Sequence, residues 1–186
     1  MNTTAPTSTP DRGWLKRYYA LRALVSAIWV ALALTVGKAQ PAFGTVLLIA
    51  YPAWDCLANY IDAKRSGGLR SNPTQFANVA VSAVVTLAVV LASTRGIAAA
   101  IAVIGVWASL SGLLQLSTAV RRWNSASAQW PMILSGAQST LAGLFFVKQA
   151  FDAPTGLGVA NVAGYAAVGA IYFAISAAVL TLKRQS

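Results

Sequence analysis

Six apolar stretches, each close to the length that crosses a bilayer, leave this chain few folds to choose from. A hydrocarbon core of roughly 30 Å takes about 20 apolar residues in a helix, and the runs over 18–36, 42–61, 75–92, 97–120, 129–147 and 159–182 approach or exceed that. In lipid every backbone polar group needs a partner within the structure, so such runs are read as helices. Turn-forming residues separate them. They are Gly37-Lys38-Ala39-Gln40-Pro41, Lys64-Arg65-Ser66-Gly67-Gly68 through Asn72-Pro73, Ser93-Thr94-Arg95-Gly96, residues 121–128, and Asp152-Ala153-Pro154-Thr155-Gly156. The runs are apolar all round, whereas the helices of a soluble bundle alternate charged and apolar faces. Only 10% of residues are charged and 57% are hydrophobic, against about 25% charged in soluble domains. The expectation is an all-α polytopic membrane protein with a polar leader over 1–13 and one six-helix domain over 14–186. Residues 36–40 make a poor cleavage site, so the first helix is expected to be retained.

The basic residues fix the expected orientation, since short cytoplasmic loops carry the excess of Lys and Arg. With the N-terminus inside, the inner side holds Arg12, Lys16, Arg17, Arg22, Lys64, Arg65, Arg70, Arg121, Arg122, Lys183 and Arg184, and the outer side Lys38, Arg95 and Lys148. Both termini are therefore placed on the cytoplasmic side of the membrane. Trp14, Tyr18, Tyr19, Tyr60, Trp123 and Trp130 fall at the inner ends, where amphipathic rings anchor helices. Nucleic acid is not an expected partner despite a net charge of +10, because the cations sit between apolar runs and not on a soluble face. The expected partners are the lipid bilayer and, beyond it, a second copy or other membrane proteins.

An internal repeat is visible at an offset of 56 residues, which carries Ser26 onto Ser82 and Arg22 onto Asn78. The same offset carries Tyr51, Asp55 and Asn59 onto Trp107, Ser111 and Gln115. A third copy is expected to align Ser135 with the first two serines, and Tyr172 and Ser176 with Trp107 and Ser111. The hairpins then run over about 18–65, 75–122 and 129–184. Two crossings per unit give all three the same orientation, a parallel repeat about an axis along the membrane normal.

Catalytic material is scarce. The chain has no histidine, and its four acidic residues are all aspartates, so the usual general bases and metal ligands are nearly absent. No metal, no cofactor and no enzymatic activity are expected. The single cysteine, Cys56, sits in an apolar run and supports neither a disulfide nor a zinc site. Helix two is the exception, for Tyr51, Asp55, Asn59 and Asp62 share one of its faces. Asp62 falls at the interface and Asp55 about 10 Å deeper. An ionisable group within the bilayer costs at least about 2.5 kcal/mol, so it has a partner or a task. Arg22 lies at similar depth, and Gln75, Asn78 and Gln115 reach the same half, which outlines a polar pocket open to the cytoplasm. Two readings stand side by side: an Arg22–Asp55 pair within a structural network, or a ligand, ion or proton site. Pro52 is expected to kink helix two beside Asp55. Serines at helix contacts are read as packing, as are the small pairs Ala108 with Gly112 and Ala160 with Gly164.

Several of these motifs together resemble the HdeD family of acid-resistance membrane proteins, short repeats of unknown function. The likeness rests on Ile104-Gly105-Val106-Trp107 through Ser111-Gly112-Leu113-Leu114-Gln115-Leu116, followed by Arg121-Arg122 and Leu134-Ser135-Gly136. It extends to Tyr51-Pro52-Ala53-Trp54-Asp55 with Asn59-Tyr60, and to Gly67-Gly68-Leu69-Arg70 with Asn72-Pro73 and Gln75. The resemblance implies a six-helix inner-membrane protein that is not an enzyme and acts in stress or acid tolerance, by organising the membrane or associating with other proteins. The alternative expectation is a proton, ion or small-solute pathway through the pocket around Asp55.

Overall fold

The computed structural model describes residues 12–121 and 130–182. Arg122, Trp123, Lys183 and Arg184, counted above for orientation, and the leader up to residue 11 lie outside the described residues. All the secondary structure among the described residues is helical: α1 Arg12–Leu34, α2 Val36–Ala39, α3 Pro41–Arg65, α4 Pro73–Ser93, α5 Ile97–Arg121, α6 Trp130–Asp152 and α7 Ala160–Leu182, with a 3-10 turn at Leu69–Ser71. Pro41 and Pro73 each open a helix, where the missing N–H would have had no partner anyway. Between α3 and α4 the chain reverses through Gly67 and Gly68 at φ 96° and 91°, values that side chains with a Cβ rarely adopt.

Five segments are long and apolar enough to cross a membrane: Gly13–Ala39, Pro41–Arg65, Pro73–Ser93, Ile97–Ser117 and Ala160–Leu182. The sixth long helix, α6, carries Gln138, Lys148, Gln149 and Asp152 and is not among them. The outer surface is apolar, with Leu87, Leu91 and Leu141 each about two-thirds exposed, as a multi-pass membrane protein requires.

Contacts between the long helices are unequal. The most extensive is α5 with α6, followed by α1 with α7 and α3 with α4, while α1 with α3 and α6 with α7 touch little. Glycine explains the tightest pair. A Cβ at Gly105 would stand 2.7 Å from the Gly143 carbonyl oxygen, and one at Gly136 would stand 2.9 Å from that of Gly112. Without Cβ atoms the backbones approach closely, which is the main attraction between helices in lipid. Hydroxyls reinforce it, Ser109 Oγ donating to Thr140 O at 3.3 Å and Ser139 Oγ to Ala108 O at 3.1 Å. Gly112 thus packs as expected, but Gly164 does not: a Cβ there would meet nothing within 4 Å, because that face of α7 points away from its neighbours.

One half of the bundle is filled by a dry core that draws Trp29, Leu48, Val89, Ile101, Phe146 and Val162 from the six long helices. The other half, toward the start of α1 and the end of α3, opens into a cavity.

Candidate functional site

The cavity has a volume of about 300 Å³, and all six long helices line it. Its charged centre is the pair predicted from sequence. Arg22 Nη2 makes a salt bridge to Asp55 Oδ1, and Arg22 Nη1 donates to the Tyr18 hydroxyl at 2.9 Å. Asp55 Oδ2 accepts from Ser82 Oγ at 2.8 Å and from Asn59 Nδ2 at 3.0 Å. The carboxylate thus holds three donors from α1, α3 and α4, which is how a buried charge is made tolerable. The Arg22 guanidinium also lies 4.3 Å from the centre of the Phe173 ring, a cation–π contact. Its Nε, like Trp54 Nε1, is buried without a hydrogen-bond partner.

An aromatic layer forms the floor toward the dry core. Tyr51 is central to it, 4.9 Å from Trp29, 5.7 Å from Trp107 and 6.3 Å from Tyr165 between ring centroids. The last two contacts are edge-to-face at 84°, the arrangement the ring quadrupoles favour. Ser139 gives its one proton to Ala108 O, so at 2.9 Å it accepts from the Tyr165 hydroxyl. Trp29 Nε1 donates to Leu47 O at 2.8 Å, in the turn of α3 just before Pro52, whose ring removes a helical hydrogen bond.

Six of the eight residues predicted from sequence meet in this cavity: Arg22, Tyr51, Asp55, Asn59, Asn78 and Gln115. Asp62 and Gln75 do not. Two helical turns further along α3, Asp62 accepts from Trp14 Nε1 at 3.3 Å and from Gln75 Nε2 at 3.2 Å. Arg65 stacks over Trp14 at 4.9 Å. That second cluster ties the start of α1 to α3 and α4 at the end of the bundle. The rise along the helix separates it from Asp55 by about 10 Å even though the two acids share a face.

Sequence reasoning missed several cavity residues. Ser82, read as packing, donates to Asp55, and Trp54, Ser111, Ser139, Tyr165 and Gln138 also line the space. The expected third copy put Tyr172, and not Tyr165, opposite Trp107. Tyr165, not Tyr172, meets Tyr51 and packs edge-to-face on Phe146 at 6.1 Å between ring centroids. Ser139 is buried, as are Ser26 and Ser82. Gly169 lines the cavity together with Asp55 and Ser111. Among the described residues no cluster of His, Cys, Asp or Glu could hold a metal ion.

Fold and site together define a multi-pass helical membrane protein with a polar cavity inside one half of its bundle. The chain matches the family described as short repeat of unknown function (DUF308) over residues 79–148, which takes in most of α4, all of α5 and most of α6. No curated protein and no solved structure matches it.

Proposed function

We propose that this chain is a six-span bacterial inner-membrane protein of the HdeD type, with both termini cytoplasmic, whose task is binding and not catalysis. The occupant of the cavity around Asp55 would couple the protein to tolerance of envelope stress, acid included, through membrane organisation or association with other proteins. The observation that carries this reading is the division of the bundle into a dry half and a half with polar side chains from every long helix around about 300 Å³. Ligand sites of about this size are the rule for small occupants.

Several features support the finer points. The short repeat matched at 79–148 is the one that HdeD-like proteins carry. A sixth crossing by α6 is supported by its 23 residues and its extensive packing on α5, which is apolar and long enough to span. Exposed Lys16, Arg17, Lys64, Arg65 and Arg70 belong to the cavity end, which favours that end as cytoplasmic. The three-hairpin repeat is supported by cyclic packing: the tight pairs α3 with α4, α5 with α6 and α7 with α1 join the second helix of each hairpin to the first of the next.

A transmembrane proton or ion pathway has less support, since it would have to cross the aromatic layer and the packed core beyond it. The deciding experiment is complementation of a deletion strain under acid and envelope stress, with wild type and with Ser111→Trp, which fills the cavity. Wild type should restore survival and the filled variant, present in the membrane at equal amount, should not. Survival unaffected by the deletion removes the stress role, and full rescue by Ser111→Trp removes the cavity from it.

A further inference from the structure

The cyclic packing leaves three seams in the ring, one within each hairpin, and they are not closed alike. Between α1 and α3 the Arg22–Asp55 salt bridge ties the helices together across the seam. Between α4 and α5 side chains pack directly. Between α6 and α7 contacts are few, and a groove opens on the outer surface, lined by Leu134, Ala137, Leu141, Ala142 and Phe145. Gln138 and Tyr172 line both this groove and the internal cavity, so the two spaces share a wall at which polar lining gives way to apolar. A ligand arriving from water would need no apolar approach. An acyl chain would.

On α1 and α3, the buried N–H groups of Arg22 Nε and Trp54 Nε1 have no acceptor, and the Arg22 guanidinium lies against Phe173 of α7, the neighbour of Tyr172 in sequence. A buried donor left unpaired is costly, and an oxygen-rich head brought into the cavity would supply what both lack. Asp55 does not compete for these groups, because its oxygens already hold Arg22, Ser82 and Asn59. Exposed Lys16, Arg17, Lys64 and Arg65 at the same end add a positive field, which favours an anionic head.

Resting on the binding role above, we propose that the occupant is an anionic phospholipid of the surrounding bilayer. Its phosphate accepts from Arg22 Nε and Trp54 Nε1, and one acyl chain leaves through the α6–α7 seam past Gln138 and Tyr172 into the outer groove.

The test uses the full chain in liposomes containing an anionic phospholipid with a photoactivatable group on its acyl chain. Mass spectrometry should find crosslinks concentrated on Leu134, Leu141 and Phe145. Ala137→Trp, which narrows the seam, should cut them about tenfold, the loss expected from one overpacked contact. Zwitterionic probe lipid should crosslink there less than anionic probe. Crosslinks spread evenly over all lipid-facing helices, or equal for both heads, overturn the proposal. Soluble glycerol phosphate, titrated against tryptophan fluorescence, separates the two levels of inference. If it quenches wild type and Ala137→Trp alike while the lipid crosslinks stay uniform, the cavity binds from water, so the lateral lipid is refuted and the binding role survives. If neither probe finds the cavity, both fall.

Discussion

Replacing Arg22 or Asp55 alone should destabilise the bundle far more than replacing both. Their side chains are 13% and 21% exposed, so each carries a charge that lacks bulk solvation. Removing one partner of such a pair costs about 3–5 kcal/mol, because the other charge stays buried without compensation, whereas replacing both with apolar groups is often close to neutral. The surroundings place both single variants at the low end. After Asp55→Leu, Arg22 keeps the Tyr18 hydroxyl at 2.9 Å and the Phe173 face at 4.3 Å, and the latter contributes about 0.5–2 kcal/mol. After Arg22→Met, Asp55 keeps the donors Ser82 and Asn59, hydrogen bonds to a charge being worth about 1.5–3 kcal/mol each. We expect about 3 kcal/mol for each single variant and within about 2 kcal/mol of wild type for Arg22→Met/Asp55→Leu. The resulting coupling of about 4 kcal/mol lies somewhat above the usual range for contacting residues. Denaturing-detergent titration followed by tryptophan fluorescence measures all four corners of the cycle. Single costs below about 1 kcal/mol that simply add would mean that the pair behaves as a solvated surface bridge, and the picture of a low-dielectric cavity would be wrong.

Three further outcomes follow from the geometry. Gly105→Val forces a Cβ to 2.7 Å from Gly143 O and should cost about 1–3 kcal/mol by overpacking, while Gly164→Ala, with nothing within 4 Å, should be neutral or gain up to about 1 kcal/mol in helix propensity; the same titration reads both. Trp14→Phe keeps a ring under Arg65 but loses the 3.3 Å donation to Asp62, so it should cost about 1 kcal/mol, with Trp14→Ala costing more. In a Cys56→Ser background, a membrane-impermeant thiol reagent applied to intact cells should label Thr94→Cys and Ala153→Cys and spare Ser66→Cys; labelling of Ala153→Cys only from the inside would remove the crossing by α6.

Much of this was legible in the sequence, and the failures have identifiable causes. Helix positions were readable because Pro41, Gly67, Gly68, Pro73 and Gly96 act through backbone geometry alone. The first two hairpins of the proposed repeat could be aligned because Arg22, Ser26, Tyr51 and Asp55 are distinctive residues, and their counterparts at the offset of 56 all line the cavity or contact its lining. Helix α7 offers few such marks: Tyr165 and Tyr172 are two turns apart on one face, so either satisfies a helical pattern, and only packing against Tyr51 chooses between them. Sharing a face likewise grouped Asp62 with Asp55, although the rise of two turns puts Asp62 among other neighbours, Trp14 and Gln75. Which helices pack tightly was not readable either, since hairpin connectivity points to α1 with α3 and α6 with α7, pairs that touch little.

Under the three-hairpin repeat proposed above, with Ser139 aligned to Ser82 and Gly169 to Ser111, departures from the repeat account for the asymmetry of the site. Ser82 and Ser139 occupy matching positions, and each donates across a tight contact to the preceding helix, one to Asp55 on α3 and the other to Ala108 O on α5. The same hydroxyl therefore serves a carboxylate in one place and a backbone carbonyl in the other. Once the first hairpin placed Asp55 where the others have Ser111 and Gly169, a counter-charge was needed within reach, and Arg22, matched by Asn78 in the second copy, supplies it. That pair closes the seam of its own hairpin. The third hairpin, with neither charge and with Gly169 at the corresponding position, has nothing comparable to draw α6 and α7 together. The salt bridge accounts for the first seam, while α4 and α5 pack without one, so the open α6–α7 seam is a separate departure. Introducing a charged pair at Ser135 and Gly169 should draw α6 and α7 together and exclude acyl probes from the groove, while leaving the Arg22–Asp55 cycle unchanged.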